Sequence, residues 1–287
     1  MANKYSSLVL HGGAGGLPPD RDYRAEAAHM RGLIEAGRDR LAAGAAALDV
    51  VVETVAALEA SGLYVAGRGA SPNTAGRFEL DASLMDGRTR RAGAVAALEG
   101  FASPIRAARA VMEQTPHVML AGAGAAAFAA RQGLERVDAD WFTPARAAAS
   151  PARQAGTVGC VALDETGALA AATSTGGVQG KLFGRVGDSP IIGAGCWADA
   201  RVAVSCTGSG EYFIRAAAAA QVAFRMSLAG ASLAEAVGAA LADVAALGGA
   251  GGLIALAATG EIAMPFSAGG MKRAALHADG RITAEIF

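Results

Sequence analysis

The chain has 287 residues, enough for one large core or two smaller ones. Hydrophobic residues make up 53% of it, which excludes a largely disordered chain. With 25 basic and 26 acidic residues the net charge is −1, so there is no electrostatic case for nucleic acid or an anionic membrane as partner.

No apolar run reaches the roughly 18 residues of a membrane helix, and the stretch Ser7-Leu8-Val9-Leu10 is too short for a signal-peptide core. That stretch predicts a first strand, running into His11-Gly12-Gly13-Ala14-Gly15. A helix is predicted over 25–42. A second is marked by Leu48, Val51, Val52, Val55 and Leu58, the stripe of an amphipathic helix. Strands are predicted over 78–85 and 93–98. A helix then starts at Ser103-Pro104, with serine as its cap and proline in its first turn. Residues 118–127 read as a short strand, a Gly122-x-Gly124 turn and a helix. Residues 141–156 hold Pro144 and Pro151 among many alanines without a clear period, the pattern of a linker.

The second half begins with two apolar runs, 157–163 and 168–173, joined by Asp164-Glu165-Thr166-Gly167 as a hairpin. A strand over 201–205 leads to a helix from Glu211 to about Leu228, with Ser209 as its cap. A further helix runs from Ser232 to about Leu247, and Ser232 with Glu235 forms its capping box. A last hairpin joins 252–258 to 261–265 around Thr259-Gly260. Patterning by itself gives a mixed α and β chain, class α+β, with no strong internal repeat. Cys160, Cys196 and Cys206 are odd in number and lack CxxC spacing. They read as reduced core thiols and favour a cytoplasmic enzyme.

The chemistry concentrates at Gly156-Thr157-Val158-Gly159. A threonine hydroxyl is a poor nucleophile until a base stands beside it, and its own α-amine is one solution. That amine titrates at roughly 7.7–8.0, so a good fraction is unprotonated near neutrality. Thr157 is internal, so the idea requires the Gly156–Thr157 bond to be cut. A glycine suits a cramped scissile peptide. By themselves these four residues read more readily as the start of an ordinary strand. Three further polar clusters follow in order: Thr173-Ser174-Thr175-Gly176-Gly177, Gly184-Arg185-Val186-Gly187-Asp188-Ser189-Pro190 and Ser205-Cys206-Thr207-Gly208-Ser209-Gly210-Glu211.

Together with His11-Gly12-Gly13-Ala14-Gly15 and Asp81-Ala82-Ser83-Leu84-Met85-Asp86-Gly87, this series resembles the plant-type L-asparaginase/isoaspartyl aminopeptidase family of N-terminal nucleophile hydrolases, over nearly the whole chain. The resemblance implies a four-layer αββα sandwich in one domain, self-cleaved into 1–156 and 157–287, and a dimer of such pairs. It implies an amidohydrolase that releases aspartate from β-aspartyl dipeptides or asparagine, without an organic cofactor. Thr157 would be the nucleophile and Thr175 its hydrogen-bonding neighbour. Arg185 would clamp the substrate α-carboxylate and Asp188 the α-ammonium. Thr207 and the Gly208 N–H would form the oxyanion hole, and Gly210 would shape the amine end of the pocket. A sodium ion would rest on the backbone carbonyls of Leu58, Glu59, Ser61, Tyr64, Ala66 and Arg68.

The residue types fit those roles on chemical grounds. A β-aspartyl group carries a carboxylate and an ammonium on one carbon, so its site needs one cation and one anion close together. Arg185 offers a planar fork for the carboxylate and Asp188 the opposite charge, although an Arg–Asp pair in a surface turn is common and worth only about 0–1 kcal/mol. One departure concerns Val65, where the family carries asparagine: a hydrocarbon replaces an amide near the expected site, so an altered leaving-group preference is expected. Two rivals stand beside this reading. Glycosylasparaginase is the near one, though that group has asparagine in place of Gly176. The other is a dinucleotide-binding protein using the Gly122–Gly124 turn with Asp138 or Asp140 as its ribose acid, a weak motif in so alanine-rich a chain. His11, His29, His117 and His277 are scattered without HExxH spacing, which argues against catalytic zinc.

Overall fold

The computed structural model describes residues 6–143 and 156–287, so most of the expected linker lies outside the described residues. Strand β1 (Ser7–Gly15) is followed by helices α1 (Arg24–Ala42) and α2 (Ala47–Ala60), then β2 (Leu80–Asp86) and β3 (Ala92–Leu98). Next come α3 (Pro104–Gln114), β4 (Met119–Ala121) and α4 (Gly122–Arg131). The second half supplies β5 (Val158–Leu163), β6 (Leu169–Thr175), β7 (Cys196–Ala198) and β8 (Val202–Gly208). It continues with α5 (Gly210–Ala216), α6 (Ala218–Leu228), α7 (Leu233–Ala246), β9 (Gly251–Ala257), β10 (Ile262–Ala263), β11 (Gly270–Leu276) and β12 (Ile282–Glu285). The chain is thus a mixture of helices and sheets.

An eight-stranded sheet runs in the order β12-β11-β1-β5-β6-β2-β3-β4, antiparallel except for the β3–β4 pair. A four-stranded antiparallel sheet runs β10-β9-β8-β7. Strands β1, β5 and β6 pack on β8 and β9, while α1, α2 and α3 contact the eight-stranded sheet and α6 and α7 the four-stranded one. Side chains alternate across a strand, so Val9, Val161 and Ala171 enter the core between the sheets, while Leu8, Leu10, Cys160 and Ala172 enter the core beneath the helices. A strand covered on both faces must be apolar at nearly every position. This is why 158–163 reads as an unbroken run.

The expected helices and strands form, with four local differences. The helix expected from Glu211 to Leu228 is broken at Ala217, which adopts a left-handed conformation (φ +47°). The break re-aims α6 so that the Ala219 and Ala220 N–H groups donate to the carbonyls of Ala194 and Gly193, at 3.2 and 2.8 Å. Ser103 does not cap α3. Glu59 does so from α2, accepting from the Ile105 N–H at 3.1 Å and from the Ser103 hydroxyl at 2.5 Å. Ser209 likewise does not cap α5; its hydroxyl faces the Ala250 N–H at 3.5 Å. The second strand of the last hairpin shrinks to Ile262–Ala263. The capping box of Ser232 and Glu235 is present in full.

Trp141 and Phe142 open the expected linker yet are packed. Phe142 is buried and stacks on Phe78 with ring centroids 4.2 Å apart, and the Thr143 N–H donates to the Arg68 carbonyl at 2.9 Å.

Candidate active site

Thr157 is buried immediately before β5, a central strand held between β1 and β6. The β5–β6 register pairs Val158 with Ser174, so one rung further the Thr157 backbone lies opposite Thr175. The Thr175 hydroxyl donates to the Gly156 carbonyl at 2.5 Å and accepts from the Gly177 N–H at 2.9 Å. The resemblance implies that Thr175 bonds the nucleophile's amine or hydroxyl; in the intact chain its partner is the carbonyl of the bond expected to break. Val65 packs on the other side of residue 156, where a methyl group would collide with its side chain. Gly13, in the glycine segment that ends β1, faces the same peptide: a Cβ there would lie 3.4 Å from both the N and O of Thr157. The β1–β11 register shifts between His11 and Ala14, and that bulge turns Gly12 and Gly13 toward the site.

Thr207 and Gly208 end β8 across from this segment. The fully buried Thr207 hydroxyl accepts from the Ala14 N–H at 3.2 Å, leaving its own proton to donate elsewhere. Gly208 has φ +144° and would drive a Cβ into the Ala250 carbonyl at 2.5 Å, so only glycine fits. Beneath them runs a buried relay that sequence reasoning missed. Thr173 donates to the Gly195 carbonyl at 3.0 Å, Ser205 therefore donates to Thr173 at 2.7 Å, and His11 Nε2–H donates to Ser205 at 2.9 Å. Burial holds His11 neutral, lowering its pKa to about 3 against a smaller opposing influence of the Thr157 backbone.

The Arg185–Asp188 turn stands at the start of α5. Asp188 is fully enclosed, its Oδ2 has no hydrogen-bond partner, and desolvation pushes its pKa up to about 7. An unsatisfied buried carboxylate oxygen is costly in an empty site and well suited to a cationic ligand. Arg185 bonds Glu211 Oε1 through Nε and Nη2 at 3.0 and 2.9 Å, leaving its Nη1 end for a second anion. Gly210 lies between the two charges. A Cβ there would stand 2.8 Å from Asp188 Oδ1 and 3.0 Å from Arg185 Nη2, filling the gap.

The turn is bolted down by β2 and the residue preceding it. Glu79 accepts from the Gly184 N–H at 3.0 and 3.1 Å, Asp81 from the Gly187 N–H at 3.5 Å, and Ser83 donates to the Ser189 carbonyl at 2.6 Å. Three residues at spacing two on one face thus hold three rungs of the turn. Lys181, almost wholly buried, adds Nζ bonds to the Glu79 and Gly176 carbonyls at 2.6 and 3.1 Å. The alternation of Glu79, Asp81 and Ser83 with apolar neighbours was visible in sequence as polar residues on one face of a buried strand.

The six carbonyls expected to hold sodium lie at the end of α2 and in the loop after it. Those of Leu58, Tyr64, Ala66 and Arg68 each accept an internal hydrogen bond from Ser61, Ala66, Gly69 and Thr143 respectively. Each keeps a second lone pair, and an all-oxygen, uncharged set suits a hard monovalent cation. Among the described residues no cluster of three or more His, Cys, Asp or Glu could hold a metal ion, and no helix is long and apolar enough to cross a membrane. The Gly122 turn does join a strand to a helix. However, β4 is the outermost strand, three residues long and largely exposed, with its parallel neighbour β3 on one side only, whereas a dinucleotide binds at a switch point with parallel strands continuing on both sides.

The asparaginase family model matches residues 4–150 and 143–286. The isoaspartyl peptidase of Salmonella typhimurium is 46% identical, covering 98% of each chain. The plant-type L-asparaginase of Pyrobaculum calidifontis is 48% identical over 73% of this chain and 76% of its own. The isoaspartyl peptidase/L-asparaginase of Xenopus laevis is 38% identical over 95% and 92%. With matches of this extent, the chain belongs to the asparaginase family.

Proposed function

We propose that the protein is a self-activating threonine amidohydrolase that releases aspartate from β-aspartyl dipeptides, asparagine or both. The observation that carries this is the partnerless Asp188 Oδ2, buried with the Arg185 guanidinium at the same gap over Gly210: an acidic and a basic group of the kinds the α-groups of an aspartyl unit require. The names of the relatives point to the same substrates.

The precursor cuts itself between Gly156 and Thr157. Thr157 Oγ attacks the Gly156 carbonyl carbon while Thr175 donates to that oxygen. The C–N bond breaks as the amine takes the proton, and water hydrolyses the resulting ester. The freed Thr157 amine then accepts the Oγ proton as Oγ attacks the side-chain carbonyl of substrate, and hands it to the departing amine. Thr207 and the Gly208 N–H meet the oxyanion. Water hydrolyses the aspartyl ester, and aspartate leaves.

In this reading the two packed sheets between two helical layers are the αββα sandwich of the N-terminal nucleophile hydrolases. Residues 1–156 and 157–287 are its two pieces, and two such pairs form a dimer. A sodium ion on the Leu58–Arg68 carbonyls would be structural, and no chemical step runs through it. The three buried free thiols suit a cytoplasmic setting. Val65 removes an amide from the site, so the leaving-group profile is expected to differ from that of relatives with asparagine there.

The test follows intact mass and aspartate release in parallel. Wild-type protein should pass from 28.4 kDa to two fragments, one starting at Thr157, and then release aspartate; Thr157→Ala should do neither. An uncut chain that hydrolyses β-aspartyl amides briskly would refute the mechanism.

A further inference from the structure

Two segments close on the bond between Gly156 and Thr157, residues 64–65 and residues 12–13. Val65 presses on Gly156, and Gly13 faces the backbone N and O of Thr157. Their chain neighbours touch each other. The Tyr64 ring lies so close to Gly12 that a Cβ there would collide with it. One aromatic ring therefore joins the two halves of the grip.

That ring is held on its remaining sides by groups with no part in the chemistry. Tyr64 is fully buried, and its hydroxyl meets His29 Nδ1 at 3.2 Å and the Glu26 carbonyl at 3.3 Å. Lys272, on β11, places its ammonium 5.4 Å from the Tyr64 ring centroid and 6.0 Å from that of Tyr23. Its Nζ stands 3.7 Å from Glu26 Oε1, which also pairs with Arg21. The stem of Lys272 reaches Gly12 as well: a Cβ at residue 12 would lie 3.4 Å from Lys272 Cβ. A lysine this deep needs a reason, because lysine is almost never buried without partners. Here it has one carboxylate and two aromatic faces, and attraction between ammonium and ring strengthens when water is excluded.

We propose that Tyr64, seated by the Lys272 ammonium, is a positioning residue for self-cleavage. It sets the separation of Val65 from the Gly12–Gly13 bulge, and so the angle at which Thr157 Oγ meets the Gly156 carbonyl. This rests on the reading of Gly156–Thr157 as the scissile bond. Small displacements of a reacting pair are costly: about 1 Å of misplacement is worth roughly a hundredfold in rate.

The experiment compares freshly purified wild type, Lys272→Met, Lys272→Arg and Tyr64→Phe, following loss of the uncut chain by intact mass. Lys272→Met keeps the length of the side chain and removes the charge, and should slow cleavage by about tenfold or more. Lys272→Arg keeps the cation and should recover most of the rate. Tyr64→Phe keeps the ring and loses its two anchors, so an intermediate slowing is expected. Once each variant is fully cut, KM should lie within twofold of wild type, because Arg185 and Asp188 sit on a different turn. Far-UV circular dichroism and a thermal melt show whether each variant is folded. If Lys272→Met cuts as fast as wild type, or if Lys272→Arg cuts as slowly as Lys272→Met, the proposal is overturned. A wild-type chain that never shortens overturns the scissile-bond reading and this proposal together.

Discussion

Replacing Thr175 by valine is the most direct probe of how the Gly156 carbonyl is activated. The two side chains have the same shape, so the change removes one hydroxyl and little volume. Two hydrogen bonds go with it: the donation to the Gly156 carbonyl at 2.5 Å and the acceptance from Gly177 at 2.9 Å. The first serves the transition state, where negative charge grows on that oxygen; a preorganised donor there is worth about 2.7–4 kcal/mol. At 1.36 kcal/mol per decade this is roughly a hundredfold to a thousandfold in cleavage rate. The second serves the fold, because a buried N–H left without an acceptor costs about 1–3 kcal/mol. The assay is the first-order decay of the uncut 28.4 kDa chain, with a denaturant melt to measure the stability loss separately. Thr175→Ser keeps the donor and should stay within about tenfold of wild type, by the same donor argument. If Thr175→Val cleaves within threefold of the wild-type rate, the hydroxyl does not activate the carbonyl and the reasoning fails.

Gly156→Ala should block cleavage, because the added methyl collides with Cβ and Cγ2 of Val65; Gly156→Ala with Val65→Gly removes both atoms and should restore much of it, and a double variant as inert as the single one would show that the collision is not the cause. Asp188→Asn should raise KM strongly while leaving cleavage intact, as judged by steady-state kinetics on the cut enzyme. The same change should stabilise the protein. The folded pKa of Asp188 lies at about 7 against an ordinary 3.8, so ionising this carboxylate destabilises the empty enzyme progressively as pH rises between those values. The asparagine variant should therefore gain stability at pH 8, on the order of 4 kcal/mol at most, and lose that pH dependence in melts. In wild-type enzyme KM should climb as pH falls below about 7, where the empty site takes up a proton that the substrate ammonium must displace. A KM that is flat between pH 5 and 8 would contradict this.

Much of the site was legible because its parts are local in sequence. Arg185 and Asp188 share one turn, Thr207, Gly208 and Gly210 one strand end, and each cluster is flanked by glycines that free the backbone. The supports were harder to read because their partners are remote. Glu59 caps a helix whose first turn lies more than forty residues away in the chain, so Ser103 looked like the cap. The break at Ala217 answers to carbonyls at residues 193 and 194 and leaves no trace in an alanine run of uniform helical propensity. Glu79, Asp81 and Ser83 did leave a trace, a polar stripe of period two. What they hold is known only once β2 is placed beside the turn. Lys272 could not have been anticipated: nothing adjacent in sequence marks a lysine that ends against the rings of Tyr23 and Tyr64.

The strand order has a consequence for the life of the protein after cutting. In the larger sheet β1, from before residue 156, lies between β11 and β5, and β6, from after it, lies against β2. Two severed pieces would be interlaced like clasped fingers, unable to part without tearing three strand junctions open, β11–β1, β1–β5 and β6–β2. Assembly of such a sheet from separate pieces is a second-order encounter, whereas the uncut chain folds in a first-order process. Nicking would thus make a self-contained folding reaction depend on concentration. A nicked enzyme once melted at high dilution should regain its shape far more slowly than its uncut parent.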